Sequence, residues 1–273
     1  MPQFKNPEYI RGLKHLIREI RELIRQYRKR PYTFHNQGHV NKMLDYVRLR
    51  GKTLLMVGLG RGLEVPIFFE EGCRRIIGLD PYPQVKAEDF GAHFELLQEF
   101  GESIPLEAET CDVVYTVASL EHVSDPKRVV QEMMRVLKPG GILYCSTAPL
   151  WFSAYGYHAK QQFPDLYDPW FHLIYSKEEY INTHPNIKNS DVYLERLDDI
   201  YDHPTNYNRL PSQVYYEIVN DLIEEHFSLM IEFTGIPEST KLLADNPGLA
   251  NKLDGHDLRD LITRGVTVIV QKK

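Results

Sequence analysis

Three histidines and one glycine-rich turn are the features of this 273-residue chain whose types and spacing can do chemistry. His122 follows the apolar run CDVVYTV, in Ala118-Ser119-Leu120-Glu121-His122-Val123, while His158 and His172 lie in an aromatic block further on. An unperturbed imidazole exchanges a proton near neutral pH, so each is a candidate general base. The turn is Gly58-Leu59-Gly60-Arg61-Gly62. Alternating glycines let the backbone turn tightly, bring amides close to a ligand and start a helix. Asp80 stands about twenty residues after this turn, at the end of an apolar run, where a carboxylate can accept from both hydroxyls of a ribose.

The elements that must hold these groups can be read from the apolar pattern. Leu54 to Val57 is a run without alternation, as in a parallel strand buried on both faces. Leu63 to Glu71 is the expected helix, Gly72 its stop, and Arg75 to Leu79 the next buried strand. After the rigid Pro81-Tyr82-Pro83 turn, His93 to Leu97 reads as a third strand and Cys111 to Val117 as a fourth. A helix over Asp125 to Leu137 is closed by Lys138-Pro139-Gly140-Gly141, which lets the chain enter a fifth strand, Ile142 to Ser146. Pro211 to His226 carries apolar residues at helical spacing, and Leu229 to Phe233 and Val266 to Val270 are two closing strands. Strand ends thus converge on one crevice. A dinucleotide oxidoreductase is disfavoured, because it needs G-x-G-x-x-G and the residue after Gly62 is Leu63.

With these residues in place, the chain resembles the class I S-adenosylmethionine-dependent methyltransferases over roughly residues 51 to 149. The likeness rests on the GxGxG turn, Asp80, Asp112, the Leu120-Glu121-His122-Val123 turn and the Pro-Gly-Gly strand entry. It implies a doubly wound, Rossmann-like, seven-stranded, mostly parallel sheet whose last strand runs antiparallel, and S-adenosyl-L-methionine as the cofactor. It also implies cofactor contacts from Gly58, Leu59, Gly60, Gly62, Asp80 and Ser119. The loop Phe100-Gly101-Glu102 corresponds to the family's adenine loop, with Phe100 stacking on the base and Glu99 or Glu102 accepting from its amine. His122 would then lie at the crevice floor near the transferable methyl. One departure is Met56, which occupies the place of the family's usual acid two residues before the first glycine. A non-catalytic, cofactor-binding module of the same fold is the alternative reading that this departure suggests.

Residues 151 to 210 break the pattern. Trp151, Tyr155, Tyr157 and His158, then Tyr167, Trp170 and His172, form an aromatic block positioned to cover the crevice, where acceptor walls are built. The block resembles Gly-x-His and Pro-Trp-x-His-Leu segments of methyltransferases from bacterial glycan assembly, which implies a small-molecule acceptor such as a saccharide hydroxyl. Trp151, Tyr155, Tyr157 and Trp170 are the expected substrate contacts, and His122, His158 or His172 the expected base. No cluster has metal-ligand spacing in sequence; Asp165, Asp168, His158 and His172 are a set that could converge on a divalent ion, and no metal is expected.

The organisation that follows is a helical arm (1–50), a cofactor-binding core (51–150), an aromatic insertion (151–210) and the remainder of the core (211–273), with a helical insertion at 237–261. The arm holds 13 Lys and Arg against 4 Asp and Glu through Lys52, whereas the other 221 residues carry a net charge of −15. Apolar residues from Leu13 to Tyr27 recur at helical spacing beside a basic ridge, Arg11 to Arg28. That helix can pack on the main domain or a second copy, or meet an anionic membrane or a phosphate-bearing substrate. Tyr32, His35 and His39 follow as candidate lid residues, in a loop to Gly38 and a helix from His39 to Arg48. No nucleic-acid partner is expected. Cys73, Cys111 and Cys145 lack CxxC spacing and read as core thiols. No secretory signal or membrane-length apolar run is seen, so a cytoplasmic location is expected.

Overall fold

The computed structural model describes residues 34–158, 168–203 and 206–273. The basic helix expected before Pro31, with Tyr32 and Asp165, lies outside them. Seven strands form one sheet: β1 (Thr53–Val57), β2 (Arg75–Leu79), β3 (Phe94–Leu97), β4 (Cys111–Val117), β5 (Leu137–Thr147), β6 (Phe227–Thr234) and β7 (Gly265–Gln271). Their spatial order is β3-β2-β1-β4-β5-β7-β6. The first five are mutually parallel, and β7 runs antiparallel between β5 and β6. Every residue of β1 is buried, as its unbroken apolar run requires. The order reverses between β1 and β4, and in an open α/β sheet the crevice outside the carboxyl ends at such a reversal is the ligand site.

One face of the sheet is covered by α1 (Phe34–Leu44) and α2 (Val65–Glu70), which bury Val40, Met43, Ile67 and Phe68 against Leu54, Met56, Tyr115 and Tyr144. The other is covered by α3 (Pro126–Val136) and α8 (Ser212–Glu225), which bring Val129, Met133, Ile218 and Leu222 onto Leu55, Val114 and Leu143. Two elements differ from the sequence expectation. The loop to Gly38 is already helical from Phe34, so α1 begins five residues before His39 and ends at Leu44. The Lys138-Pro139-Gly140-Gly141 turn lies within β5, where the pairing register with β4 shifts and Gly140 and Gly141 bond instead to Lys272.

Between β5 and α8 the chain forms α4 (Phe171–Ile174), α5 (Lys177–Thr183), α6 (Pro185–Lys188) and α7 (Asp191–Tyr201). These close around their own core of Trp151, Tyr157, Phe171, Tyr180, Ile187 and Leu197. Phe171 and Tyr180 stack at 4.2 Å between ring centroids. Three more helices, α9 (Ile236–Asp245), α10 (Pro247–Lys252) and α11 (Leu258–Ile262), fill the 237–261 insertion and pack under Trp170. The three cysteines are free and buried, and burial pushes each thiol up to about 12, so none is a reactive thiolate. Among the described residues no helix is long and apolar enough to cross a membrane.

Candidate functional site

The glycine turn at the end of β1 is held open by backbone geometry that a side chain would not tolerate. Gly58, Gly60 and Gly62 have φ of 77°, 53° and 59°. A Cβ on Gly58 would lie 1.9 Å from the Ser119 hydroxyl, which approaches from the end of β4. Asp80, at the end of β2, accepts from the Gly60 amide through Oδ2 and from the Tyr82 amide through Oδ1, both at 2.8 Å. Its carboxylate is thereby locked across the mouth of the turn, and each oxygen keeps a further lone pair for a ligand.

The loop after β3 is clamped to α3. Glu132 accepts from the Ile104 amide at 3.0 Å and pairs with Arg135, whose Nη1 and Nη2 donate to the Leu106 and Ile104 carbonyls. The Arg135 hydrogen bonds hold the Glu132 carboxyl below its usual range. Behind that clamp, Glu102 accepts from the amide and hydroxyl of Ser124 through Oε1, while its buried Oε2 has no partner. Phe100 and Tyr82 are exposed at the rim, edge to face at 6.1 Å.

These parts surround a cavity of about 1110 Å³ at the ends of β1, β2 and β4. Gly58, Gly60, Asp80, Tyr82, Phe100, Gly101, Glu102, Ser119 and His122 line it. Leu59 and Gly62 do not. Leu59 is buried against Gly78, and Gly62 faces Phe90, so both shape the turn from behind. A locked carboxylate, an orphaned glutamate oxygen and exposed aromatic rings at a glycine turn suit a polar nucleoside with a planar base. Met56 is buried beneath the turn among the core side chains, so no acid stands there.

The far end of the cavity is built by the 151–210 insertion, through Arg196, Asn206, Tyr207 and Asn208. Sequence reasoning missed all four, because their place depends on how the insertion folds back. Asn208 makes that fold-back: its Nδ2 donates to the carbonyls of Leu120 at 2.7 Å and Val123 at 3.1 Å, and its own amide donates to Glu121 O at 3.0 Å. The aromatic block expected to line the cavity does not. Trp151 and Tyr157 are buried in the insertion's core, Trp170 is buried against Ala154, Leu253 and Leu261, and Tyr155 is packed beside both clusters. An aromatic cluster that must close its own small core has few faces left for a ligand.

Of the three histidines, only His122 lines the cavity. Its Nδ1 lies 2.6 Å from the Asn206 carbonyl. His158 stands behind it, with ring centroids 5.0 Å apart, and its Nε2 lies 2.8 Å from Pro149 O. Burial, with the neighbouring His122, pushes the His158 imidazole down to about 3. His172 is fully enclosed against Trp151, bonded to that residue's carbonyl at 2.7 Å, and burial pushes it down to about 4. Beside the pair, Glu121 is buried, accepts from the Thr147 hydroxyl at 2.6 Å, and is pushed up by burial against the opposing effect of His122. Asp168 pairs with His184, and His39 bonds Tyr144 on the sheet face, so neither joins the cavity.

Comparison with known proteins fits this architecture. Residues 55–145 match the family model described as a methyltransferase domain. Over 119 residues the chain is 33% identical to an uncharacterized methyltransferase of Mycobacteroides abscessus, covering 41% of this chain and 45% of that protein. It is also 33% identical over 119 residues to a ubiquinone biosynthesis O-methyltransferase of Pseudomonas fluorescens, covering 41% and 51%. The chain thus spans about half the length of the curated relatives it matches. Among solved structures, an S-adenosylmethionine-dependent methyltransferase of Mesorhizobium loti aligns with TM-score 0.51 at 16% identity, over 84% of this chain and 95% of that one. The geranyl diphosphate C-methyltransferase of Streptomyces coelicolor, solved with Mg²⁺, geranyl diphosphate and S-adenosyl-L-homocysteine, aligns at 0.50 with 13% identity, over 87% and 79%. The fold is that of the solved S-adenosylmethionine-dependent methyltransferase, and the central segment, residues 55–145, is similar to the methyltransferase domain.

Proposed function

We propose that the chain transfers a methyl group from S-adenosyl-L-methionine to a hydroxyl of a small-molecule acceptor. The observation that carries the reading is the continuity of one cavity from the glycine turn and Asp80 to His122 and the insertion's Arg196, Asn206 and Asn208. In this reading Asp80 accepts from the ribose hydroxyls, Phe100 and Tyr82 flank the adenine, and Glu102 Oε2 accepts from its amine. Gly58, Gly60 and Ser119 shape the path to the methionine part, with Leu59 and Gly62 supporting the turn. When bound, the cofactor supplies the methyl and the leaving sulfur. The protein's share is alignment of the acceptor oxygen at about 3 Å and exclusion of water, which shape can provide.

Deprotonation of the hydroxyl is assigned to the His122 end of the cavity. A carbonyl only accepts, so Nδ1 of His122 carries the proton shared with Asn206 and leaves Nε2 with its lone pair. His158 and His172 are held neutral and enclosed, and support the wall rather than meet the acceptor. A saccharide or glycan-precursor hydroxyl suits the polar lining of Arg196, Asn206 and Asn208. A phenolic hydroxyl is the second reading, favoured by the relatives named ubiquinone biosynthesis O-methyltransferase. Labelled-methyl transfer to sugars, nucleotide-sugars and small phenols decides between them, with calorimetry of S-adenosylhomocysteine alongside. A folded protein that binds no S-adenosylhomocysteine would leave only a non-catalytic module of the same fold.

A further inference from the structure

We propose that Glu121, His122 and His158 form a binding site for one divalent first-row transition-metal ion at the acceptor end of the cavity. Each residue offers a potential ligand atom, and these three atoms all lie within 4.8 Å of one another. Two imidazoles and one carboxylate are a donor set for Mn²⁺, Fe²⁺, Co²⁺ or Zn²⁺ rather than for Mg²⁺ or Ca²⁺, which favour oxygen alone.

Two independent features of the cluster point to a cation. The first is Glu121. It is 3% exposed, one carboxylate oxygen accepts from Thr147, and the other, Oε1, is enclosed and makes no hydrogen bond of good geometry, although the Glu121 and Ala148 amides lie beside the carboxylate. A buried carboxylate oxygen left unmatched is costly, and a cation is the partner that satisfies it. The second is the orientation of the rings. The Asn206 carbonyl holds Nδ1 of His122, and the Pro149 carbonyl holds Nε2 of His158. Each ring is thereby fixed in one tautomer with its other nitrogen free to donate a lone pair, the same backing that carbonyls and carboxylates give to metal-bound histidines.

Three protein ligands leave coordination positions open, and His122 faces the cavity, so an acceptor hydroxyl can occupy one of them. This role, unlike the binding itself, rests on the proposed methyl transfer. The ion would stabilise the oxyanion formed when the O–H proton leaves to solvent. That oxygen then forms the new O–CH₃ bond as the sulfonium C–S bond breaks and its electron pair returns to sulfur. His122 acts in that state as a ligand, and no histidine base is needed.

The test starts from the full chain freed of metal by chelation and titrated with Co²⁺, whose visible d–d bands report imidazole and carboxylate coordination. The wild type should take up one ion and show those bands, with Zn²⁺ displacing it. Glu121→Gln and His158→Gln should each weaken binding about 10- to 100-fold, whereas His172→Gln, outside the cluster, should bind as the wild type does. If the variants fail to fold, the wild type alone suffices, since bound Co²⁺ must shift the ring-proton resonances of two histidines together. Absence of the bands and of that shift overturns the site, as does equal binding by folded Glu121→Gln. S-adenosylhomocysteine calorimetry on the same samples separates the two readings. Retained nucleoside binding without metal binding defeats the metal site alone, and the reverse result defeats the methyl-transfer role alone.

Discussion

The Nδ1 atom of His122 lies 2.6 Å from the carbonyl oxygen of Asn206, although 84 residues separate them in sequence. That bond ties the loop after β4, which belongs to the sheet, to the end of the aromatic insertion, which does not. The insertion therefore fixes the orientation of the His122 ring at the cavity.

Asn208 enforces the same junction from two residues further on. Its side chain satisfies the carbonyls of Leu120 and Val123 and accepts from the Leu210 amide. Asn208→Ala leaves these groups unmatched in a partly buried site, at about 1 to 3 kcal/mol for each one that water cannot reach. We expect the variant to unfold at lower denaturant and to lose turnover, while S-adenosylhomocysteine affinity changes less than threefold. A variant with wild-type turnover would show that the junction does not position His122.

Nucleoside affinity should depend on Asp80 and Gly58 for different reasons. Asp80→Ala removes a charge-assisted acceptor, worth about 1.5 to 3 kcal/mol per hydrogen bond, so S-adenosylhomocysteine should bind at least tenfold more weakly. Gly58→Ala places a methyl against the Ser119 hydroxyl in a left-handed backbone position. The double change Gly58→Ala with Ser119→Gly should recover part of the binding by removing the clash, leaving only the backbone strain. Calorimetry on all three proteins checks this, and unchanged binding in folded Asp80→Ala would remove the ribose assignment.

Trp170 marks how far composition alone misleads. It is fully buried against Ala154, Leu253 and Leu261, donates to the Phe152 carbonyl at 3.1 Å, and has φ of 56°. Trp170→Ala should therefore cost about 3 to 5 kcal/mol through the cavity it leaves. Limited proteolysis should show early cleavage between 151 and 210. A stable, protease-resistant variant with impaired turnover would instead return Trp170 to the acceptor wall.

The sheet was legible because buried parallel strands are written as plain apolar runs. Arg75–Leu79 and Cys111–Val117 coincide with the sequence reading residue for residue. Helix ends were less so. The helix after the glycine turn begins only at Val65, where Pro66 fixes its first turn, and the start of α1 falls five residues before the expected His39 because Phe34-His-Asn-Gln-Gly has neither apolar period nor start signal. The half of the cavity at the glycine turn was readable from local glycines and acids. The half built by the insertion was not, because Asn206, Tyr207, Asn208 and Arg196 reach it through tertiary folding. Aromatic density there signalled a small core, which in sequence looks the same as a ligand wall.

His172 should make stability depend on pH in a defined window. Its imidazole is neutral in the fold, pushed down to about 4 by burial, whereas an unfolded histidine titrates near 6.5. Above about pH 6.5 both states are neutral and the full stability is present. As pH falls toward 4 the unfolded chain binds the proton and the folded chain does not, so stability is lost, by about 2 kcal/mol at pH 5. His158, pushed down to about 3, acts in the same direction and over a longer range. Asp112 and Glu132, whose carboxyls are held below their usual range, add losses only at lower pH, while Glu121, pushed up by burial, acts in the opposite direction and is common to both proteins compared below. In His172→Gln the amide can still donate to the Trp151 carbonyl, so the drop in unfolding free energy between pH 7 and pH 5 should shrink by about 2 kcal/mol. Chemical denaturation of both proteins at the two pH values measures it. An identical drop in both would mean that His172 is already protonated within the folded insertion.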